Sequence, residues 1–216
     1  MMGNKNVTQH VIDKVRSAAT YMNRHVNKTK IRVSVYLLIP ERDSDAIIES
    51  VDLYGVKLVT GPEQDVLSRY AVLMDKYSPD YLVRITGDCP LIPSPVIVKT
   101  VNLCVKGEYD FVTNASPEYR TFFDGADCEM VNARLFEWVN RNAEGSDREH
   151  VMSILYNNKP AWCNHAHLFS NFDMTKTKLS VDTEEDLLRA EEAYESVERK
   201  IQSWVEKNGK QTCHRY

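Results

Sequence analysis

Residues 80–90 read Asp80-Tyr81-Leu82-Val83-Arg84-Ile85-Thr86-Gly87-Asp88-Cys89-Pro90. The apolar, partly β-branched run 80–86 predicts a strand, Gly87 and Asp88 supply a turn, and Pro90 blocks any continuation because it has no N–H for a ladder. Helical spacing of apolar residues over 63–77 precedes this strand. Ser94 and Pro95 follow it as N-cap and first-turn proline of a helix to about Lys106. The alternation extends outward. Val7, Val11, Val15, Ala18 and Met22 predict a helix over 8–25, and the run 31–39 predicts a strand stopped by Pro40. A helix over 45–54, a strand over 56–60 and a strand over 109–113 continue the pattern. Helices and strands in strict alternation predict an α/β chain with a mostly parallel sheet and helices on both faces.

The second half is less regular. It reads as an extended stretch 118–131, helices over 132–142 and 147–157, and strands over 161–169 and 178–181. Thr183 and Asp186 form a capping-box-like start for a long last helix, whose Leu187, Ala190, Val197, Ile201 and Trp204 share a face. Its opposite face, rich in Glu, Arg and Lys, is read as solvated, with a homodimer contact as the alternative. No linker, repeat or low-complexity segment divides the chain, so residues 1–216 are read as a single domain.

Composition excludes several classes. With 27 basic and 31 acidic residues the formal charge is −4, and no apolar run nears the ~18 residues that span a bilayer, which argues against a nucleic-acid or membrane-spanning protein. No two of the eight glycines stand close enough to write GxGxxG or GxxxxGK, so both standard phosphate loops are excluded. Five cysteines without a CxxC, and no charged-then-apolar leader, favour a reduced, cytoplasmic chain.

In open parallel sheets, ligands bind beyond the carboxyl ends of the strands. Asp88 follows one strand and Asp182 another, and each is read either as a turn or helix-capping residue or as a ligand of Mg²⁺, which takes one or two protein carboxylates beside phosphates. Asp65 and Arg69, at i and i+4 after Thr60 and Gly61, read as a surface pair. Cys163, His165 and His167 alternate on one strand face, read as a polar face rather than a zinc site that would lack a fourth ligand. His150 is read as either structural or a general base. Cys89 and Cys128 are read as packing residues. Asp43-Ser44-Asp45, the single D-x-D and hence a glycosyltransferase-like signal, stands at a predicted helix start, where capping explains it.

Five ordered segments carry a resemblance: T-G-x-x-x-D-V-L-S-R-Y (60–70), V-R-I-T-G-D-C-P-L-I (83–92), D-G-A-D-C-E (124–129), D-R-E-H-V (147–151) and S-V-D-T-E-E-D-L (180–187). Together they resemble the cytidylyltransferase family, in its spore-coat polysaccharide branch, related to the enzymes that make CMP-3-deoxy-octulosonate and CMP-sialic acid. The resemblance implies a Rossmann-like nucleotide-diphospho-sugar transferase fold and transfer of CMP from CTP to a sugar acid or phosphorylated sugar for surface polysaccharide, with Mg²⁺ held by Asp88 and Asp182. It implies a catalytic role for Arg84 beside those two aspartates. Thr60, Asp65, Arg69 and Thr86 would face the nucleotide, and Asn114, Asp127, Glu129, Arg148 and His150 would line the acceptor pocket. The chain departs from the family pattern at its start: it opens just after the segment where the family carries A-R-x-G-S-x-R-L-P-G-K. The expectation is a sheet lacking one interior strand and the phosphate loop, with a shifted first strand, a covering dimer or low solubility as the consequence. The rival reading is an inactive homologue that binds sugar or pairs with a subunit.

Overall fold

The computed structural model describes residues 5–25, 30–207 and 213–214. In chain order the elements are α1 (Val7–Arg24), β1 (Val35–Pro40), α2 (Ser44–Ser50), β2 (Val56–Gly61), α3 (Val66–Tyr77), β3 (Tyr81–Arg84) and α4 (Ser94–Lys106). Then follow β4 (Phe111–Thr113), β5 (Glu129–Asn132), α5 (Ala133–Asn142), α6 (Asp147–His150), α7 (Ile154–Asn157), β6 (His165–Leu168), α8 (Glu184–Lys207) and β7 (Cys213–His214).

The α/β expectation holds, with a mixed pattern of pairing. β1 and β2 form a parallel pair, and the larger sheet has the order β3-β5-β4-β6-β7. β5 runs antiparallel to both β3 and β4, β4 is parallel to β6, and β7 is antiparallel to β6, so β3, β4 and β6 share one direction. The reversal at β5 has a simple cause. Parallel neighbours need a crossover, usually a helix, whereas 114–128 is a helix-free excursion that returns the chain antiparallel. Two apolar clusters cover the sheets. One joins α1, α4 and α8 around Val96, Val112 and Trp204, and the other joins α3, α5 and α7 around Leu67, Phe111 and Phe136.

Local chemistry explains the boundaries. Asn6 caps α1 through Gln9 N–H, and Asn132 caps α5 through Leu135 N–H. The helix expected over 147–157 divides into α6 and α7 because Val151 takes φ +56, a left-handed conformation no helix interior accepts. The strand expected over 31–39 begins at Val35, and the one expected over 178–181 contributes a single bridge, Lys178 to Asp124. Among the described residues no strand joins β1 to β3. Residues of both line a shared groove.

On β6 the His167 side chain is 6% exposed, packs on Tyr119 and His165, and has an Nδ1 without a hydrogen-bond partner among the described residues. Burial, and then the charge of His165, push its pKa down to about 4. The unfolded imidazole titrates near 6.5, so above that pH His167 contributes nothing to pH dependence, and between 6.5 and 4 only the unfolded state takes up the proton. Stability therefore falls as pH drops through this window. Urea unfolding at pH 7 and pH 5 should show His167→Gln losing about 1–2 kcal/mol less than the parent chain; equal losses would place the titrating group elsewhere.

Candidate active site

The turn after β3 forms one wall of a cavity of about 250 Å³. Arg84, Thr86 and Asp88 stand on this wall, Arg120, Asp124 and Asp127 come from the 114–128 excursion, Glu129 opens β5, and His150, Ser153 and Tyr156 close the far side.

The floor is a buried polar network. Arg84 pairs with Glu129 at 2.6 Å, the Tyr156 hydroxyl donates to the second Glu129 oxygen at 2.5 Å, and the hydroxyls of Thr113 and Tyr156 are hydrogen-bonded at 3.0 Å. Burial opposes the Arg84 charge, but the Glu129 carboxylate outweighs it and holds the guanidinium pKa above its ordinary value. Burial and then Glu129 push the Tyr156 phenol up, which keeps it protonated as a donor. On the side wall Arg120 makes two bonds to Asp127, at 2.7 and 2.9 Å. Burial raises the Asp127 pKa while Arg120 works against that rise. The Cys89 thiol is 2.9 Å from the Thr86 hydroxyl and makes a long 3.5 Å contact to Asp88. Burial and then the Asp88 charge push this thiol up, so it packs as an inert group.

A clamp carries the 177–182 segment to the same place. Asp124 N–H donates to Thr177 O, and the Asp124 backbone carbonyl accepts from Leu179 and Ser180 N–H. Gly125 has φ +106, and a Cβ there would stand 2.6 Å from Ser180 N, so no other residue permits this approach. Val181 N–H then donates to the Asp88 carbonyl at 2.8 Å. Asp182 is the next residue. Its carboxylate is exposed and paired with Lys178 at 2.8 Å, off the cavity lining. Lys178 also reaches Asp186, and the bonds from Thr183 N–H to Asp186 and from Asp186 N–H to Thr183 Oγ1 complete the reciprocal box expected at the start of α8.

The remaining expected site residues are placed as follows. Asp65 caps α3 through Ser68 N–H and takes two bonds from Arg148, at 3.0 and 2.8 Å, so a residue expected at the nucleotide pairs with one expected at the acceptor. Neither lines the cavity. Arg69 pairs with backbone, not with Asp65: it is buried beneath Gly61 and donates to the Leu38 and Glu63 carbonyls. Thr60 is exposed near the end of β2. Asn114 is buried, with its amide spent on Ala126 O and Cys128 N–H, which holds the excursion closed. Arg120, Asp124, Ser153 and Tyr156 were not among the expected site residues. A lone arginine before Phe122 and Phe123, in the stretch that carries Asp124, Asp127 and Glu129, was a usable signal for Arg120. Tyr156 had none, because α6 and α7 break the periodicity.

Asp88, open to the cavity, and Asp182, already holding an ammonium, stand on two segments joined by a backbone hydrogen bond. This donor set fits an ion such as Mg²⁺, which keeps several waters. Among the described residues no group of three His, Cys, Asp or Glu forms a closed metal cage.

No family model matches the chain. Over 192 residues it is 24% identical to the spore coat polysaccharide biosynthesis protein SpsF of Bacillus subtilis, covering 86% of this chain and 74% of that protein. Over 119 residues it is 34% identical to an uncharacterized protein of Methanocaldococcus jannaschii, covering 55% of this chain and about half, 47%, of that relative. Among solved structures, a cytidylyltransferase from Leptospira borgpetersenii matches with a TM-score of 0.66 and 25% identity, over 89% of this chain and 87% of that one. The chain is a relative of the cytidylyltransferases. A Mycobacterium tuberculosis protein solved in complex with manganese shares the fold, with a TM-score of 0.60 and 14% identity over 88% of each chain. This cytidylyltransferase relative has no helix, among the described residues, long and apolar enough to cross a membrane.

The clamp gives a direct prediction. Gly125→Ala forces both a left-handed alanine and a backbone collision, and should cost about 2 kcal/mol or more in urea unfolding. A variant as stable as the parent would mean that 179–182 does not sit against Gly125.

Proposed function

We propose that this chain is a nucleotidyltransferase that moves CMP from CTP to a hydroxyl of a sugar acid or a phosphorylated sugar, releasing pyrophosphate, in the cytoplasmic synthesis of a surface polysaccharide. The observation that carries this reading is the bond from Val181 N–H to the Asp88 carbonyl, which brings the segment that carries Asp182 beside Asp88 at the end of β3. The likeness to a solved cytidylyltransferase and to the Bacillus spore coat protein supports it.

Each side chain then has a task that its surroundings permit. Asp88 and Asp182 would hold Mg²⁺, which when bound neutralises charge on phosphate oxygens. Arg84, fixed by Glu129, keeps guanidinium donors for a phosphate oxygen, and Thr86 adds a hydroxyl donor on the same wall. Arg120, fixed by Asp127, offers the same planar recognition to a carboxylate or phosphate of the acceptor. His150 is exposed at the cavity wall, where it can take the proton of the attacking hydroxyl. Asp65 with Arg148, and Asn114, act on the shape of the site through the elements they tie.

One observation favours a second reading, a sugar-binding or subunit-pairing module without turnover: Asp182 is held by Lys178 outside the cavity lining. Calorimetric titration of the chain with CTP and Mg²⁺, with ATP as control, separates the two. The proposal expects selective CTP binding that EDTA abolishes and that Asp88→Asn weakens at least tenfold, about 1.4 kcal/mol. It also expects pyrophosphate release when a sugar acid or phosphorylated sugar is added. Sugar binding without pyrophosphate release would favour the second reading, and a folded sample indifferent to CTP would sink the first.

A further inference from the structure

Lys178 stands where the clamp meets the start of α8. Its backbone is held from both sides, by the bridge to Asp124 and by the bonds from Asp124 N–H to Thr177 O and from Leu179 N–H to Asp124 O. Its ammonium joins two carboxylates, with Nζ 2.8 Å from Asp182 and 2.9 Å from Asp186. The two partners differ. Asp186 is buried in the first turn of α8, and Arg189 and the N–H groups of Asp182 and Thr183 donate to it besides Lys178. Asp182 is exposed, and among the described residues Lys178 is the one side-chain partner of its carboxylate.

This asymmetry decides which contact gives way. An ammonium in contact with a carboxylate and a divalent cation on the same carboxylate repel each other at such short range, so one excludes the other. Lys178 has somewhere to go, because withdrawal from Asp182 leaves its charge paired with Asp186. The exposed half of the bridge is also the weaker one, since ion pairs in solvent contribute little, whereas Asp186 keeps its backbone and Arg189 donors throughout. The backbone needs no rearrangement. The clamp fixes the chain around Lys178, and Asp182 N–H is spent on Asp186, so the exchange asks two side chains to move and nothing else.

We propose that Lys178 is a positioning residue of the divalent-ion site: before the ion binds, its ammonium holds the Asp182 carboxylate off the cavity lining, and it yields that carboxylate to the ion while staying paired with Asp186. This inference rests on the proposed function, in which Asp88 and Asp182 hold Mg²⁺. Lys178 is then a competitor of the ion, and neither a ligand of it nor a phosphate-binding cation. The sign of its effect follows. Removing a residue that props up the site would weaken ion binding, whereas removing a competitor strengthens it.

The test is titration of the whole chain with Mn²⁺ alone, with bound ion counted by the loss of the free-ion signal in electron paramagnetic resonance. Lys178→Met should tighten Mn²⁺ binding about threefold, equivalent to about 0.6 kcal/mol and within the range of an exposed ion pair. Lys178→Gln, which keeps a polar group beside Asp186, should do the same. Lys178→Arg, which keeps the charge, should bind like the parent, and so should Lys176→Met, which removes a neighbouring exposed charge. Asp182→Asn added to Lys178→Met should erase the gain. Affinity that is equal or lower in both Lys178→Met and Lys178→Gln would overturn the proposal, as would a gain that survives Asp182→Asn. If Asp88→Asn and Asp182→Asn weaken Mn²⁺ binding while the Lys178 variants leave it unaltered, the inference alone fails and the proposed ion site stands. Binding indifferent to both aspartates in every background would sink the site and the inference with it.

Discussion

Glu129 is one buried carboxylate to which four elements are tied. It stands opposite Arg84 in the β3–β5 ladder and opposite Thr113 in the β4–β5 ladder, so the three residues form a row across three strands. Arg84 neutralises it, Tyr156 of α7 donates to it, and Thr113 is bonded to Tyr156. A slip of one residue in either ladder would send this row to the other face of the sheet and leave a charge buried without a partner, which costs several kcal/mol. The register of the central strands and the floor of the cavity are thus set by the same contacts. The guanidinium that lines the cavity is also the one that holds the sheet in register.

A second constraint, built from backbone, completes the site. The 114–128 excursion is closed by Asn114 and pressed against 179–180 at Gly125, and the bond from Val181 to Asp88 fastens that segment to the end of β3. Rigid strands thereby position loops that carry the chemistry, as expected where binding residues sit on connections held by a scaffold. The carboxylates of Asp88 and Asp182 stay partly or fully in solvent, and the charges of Arg84 and Arg120 are each fixed by an acidic partner. In the proposed function this arrangement serves an anionic ligand. Burial holds the Cys89, Cys104 and Cys128 thiols in their protonated form.

Much of this was legible in the residues. The 80–90 stretch predicts a strand, a turn and a strand-end aspartate, and β3 with Asp88 on the cavity wall is what the structure shows. The Thr183 and Asp186 box was readable because capping is local chemistry. Pairing direction was not, because β5 carries no sequence mark that distinguishes an antiparallel return from a parallel crossover. The break at Val151 was hidden for a different reason: a β-branched residue at positive φ is imposed by tertiary packing against its own preference. The pairing of Asp65 with Arg148, across 83 positions, likewise depends on α3 and α6 being brought together. Arg69 looked like the partner of Asp65 by i, i+4 spacing, yet its burial under Gly61 sends it to carbonyl groups instead.

The account's central claim is that a divalent ion and a nucleotide meet where 85–88 joins 179–182. Paramagnetic broadening of backbone amide resonances by substoichiometric Mn²⁺ measures this directly. The account predicts that, with CTP present, the amides of Asp88, Val181 and Asp182 broaden first, and that Asp88→Asn removes the effect. Broadening centred on other acidic positions, such as Asp147 and Glu149 of α6, and indifferent to CTP would contradict it.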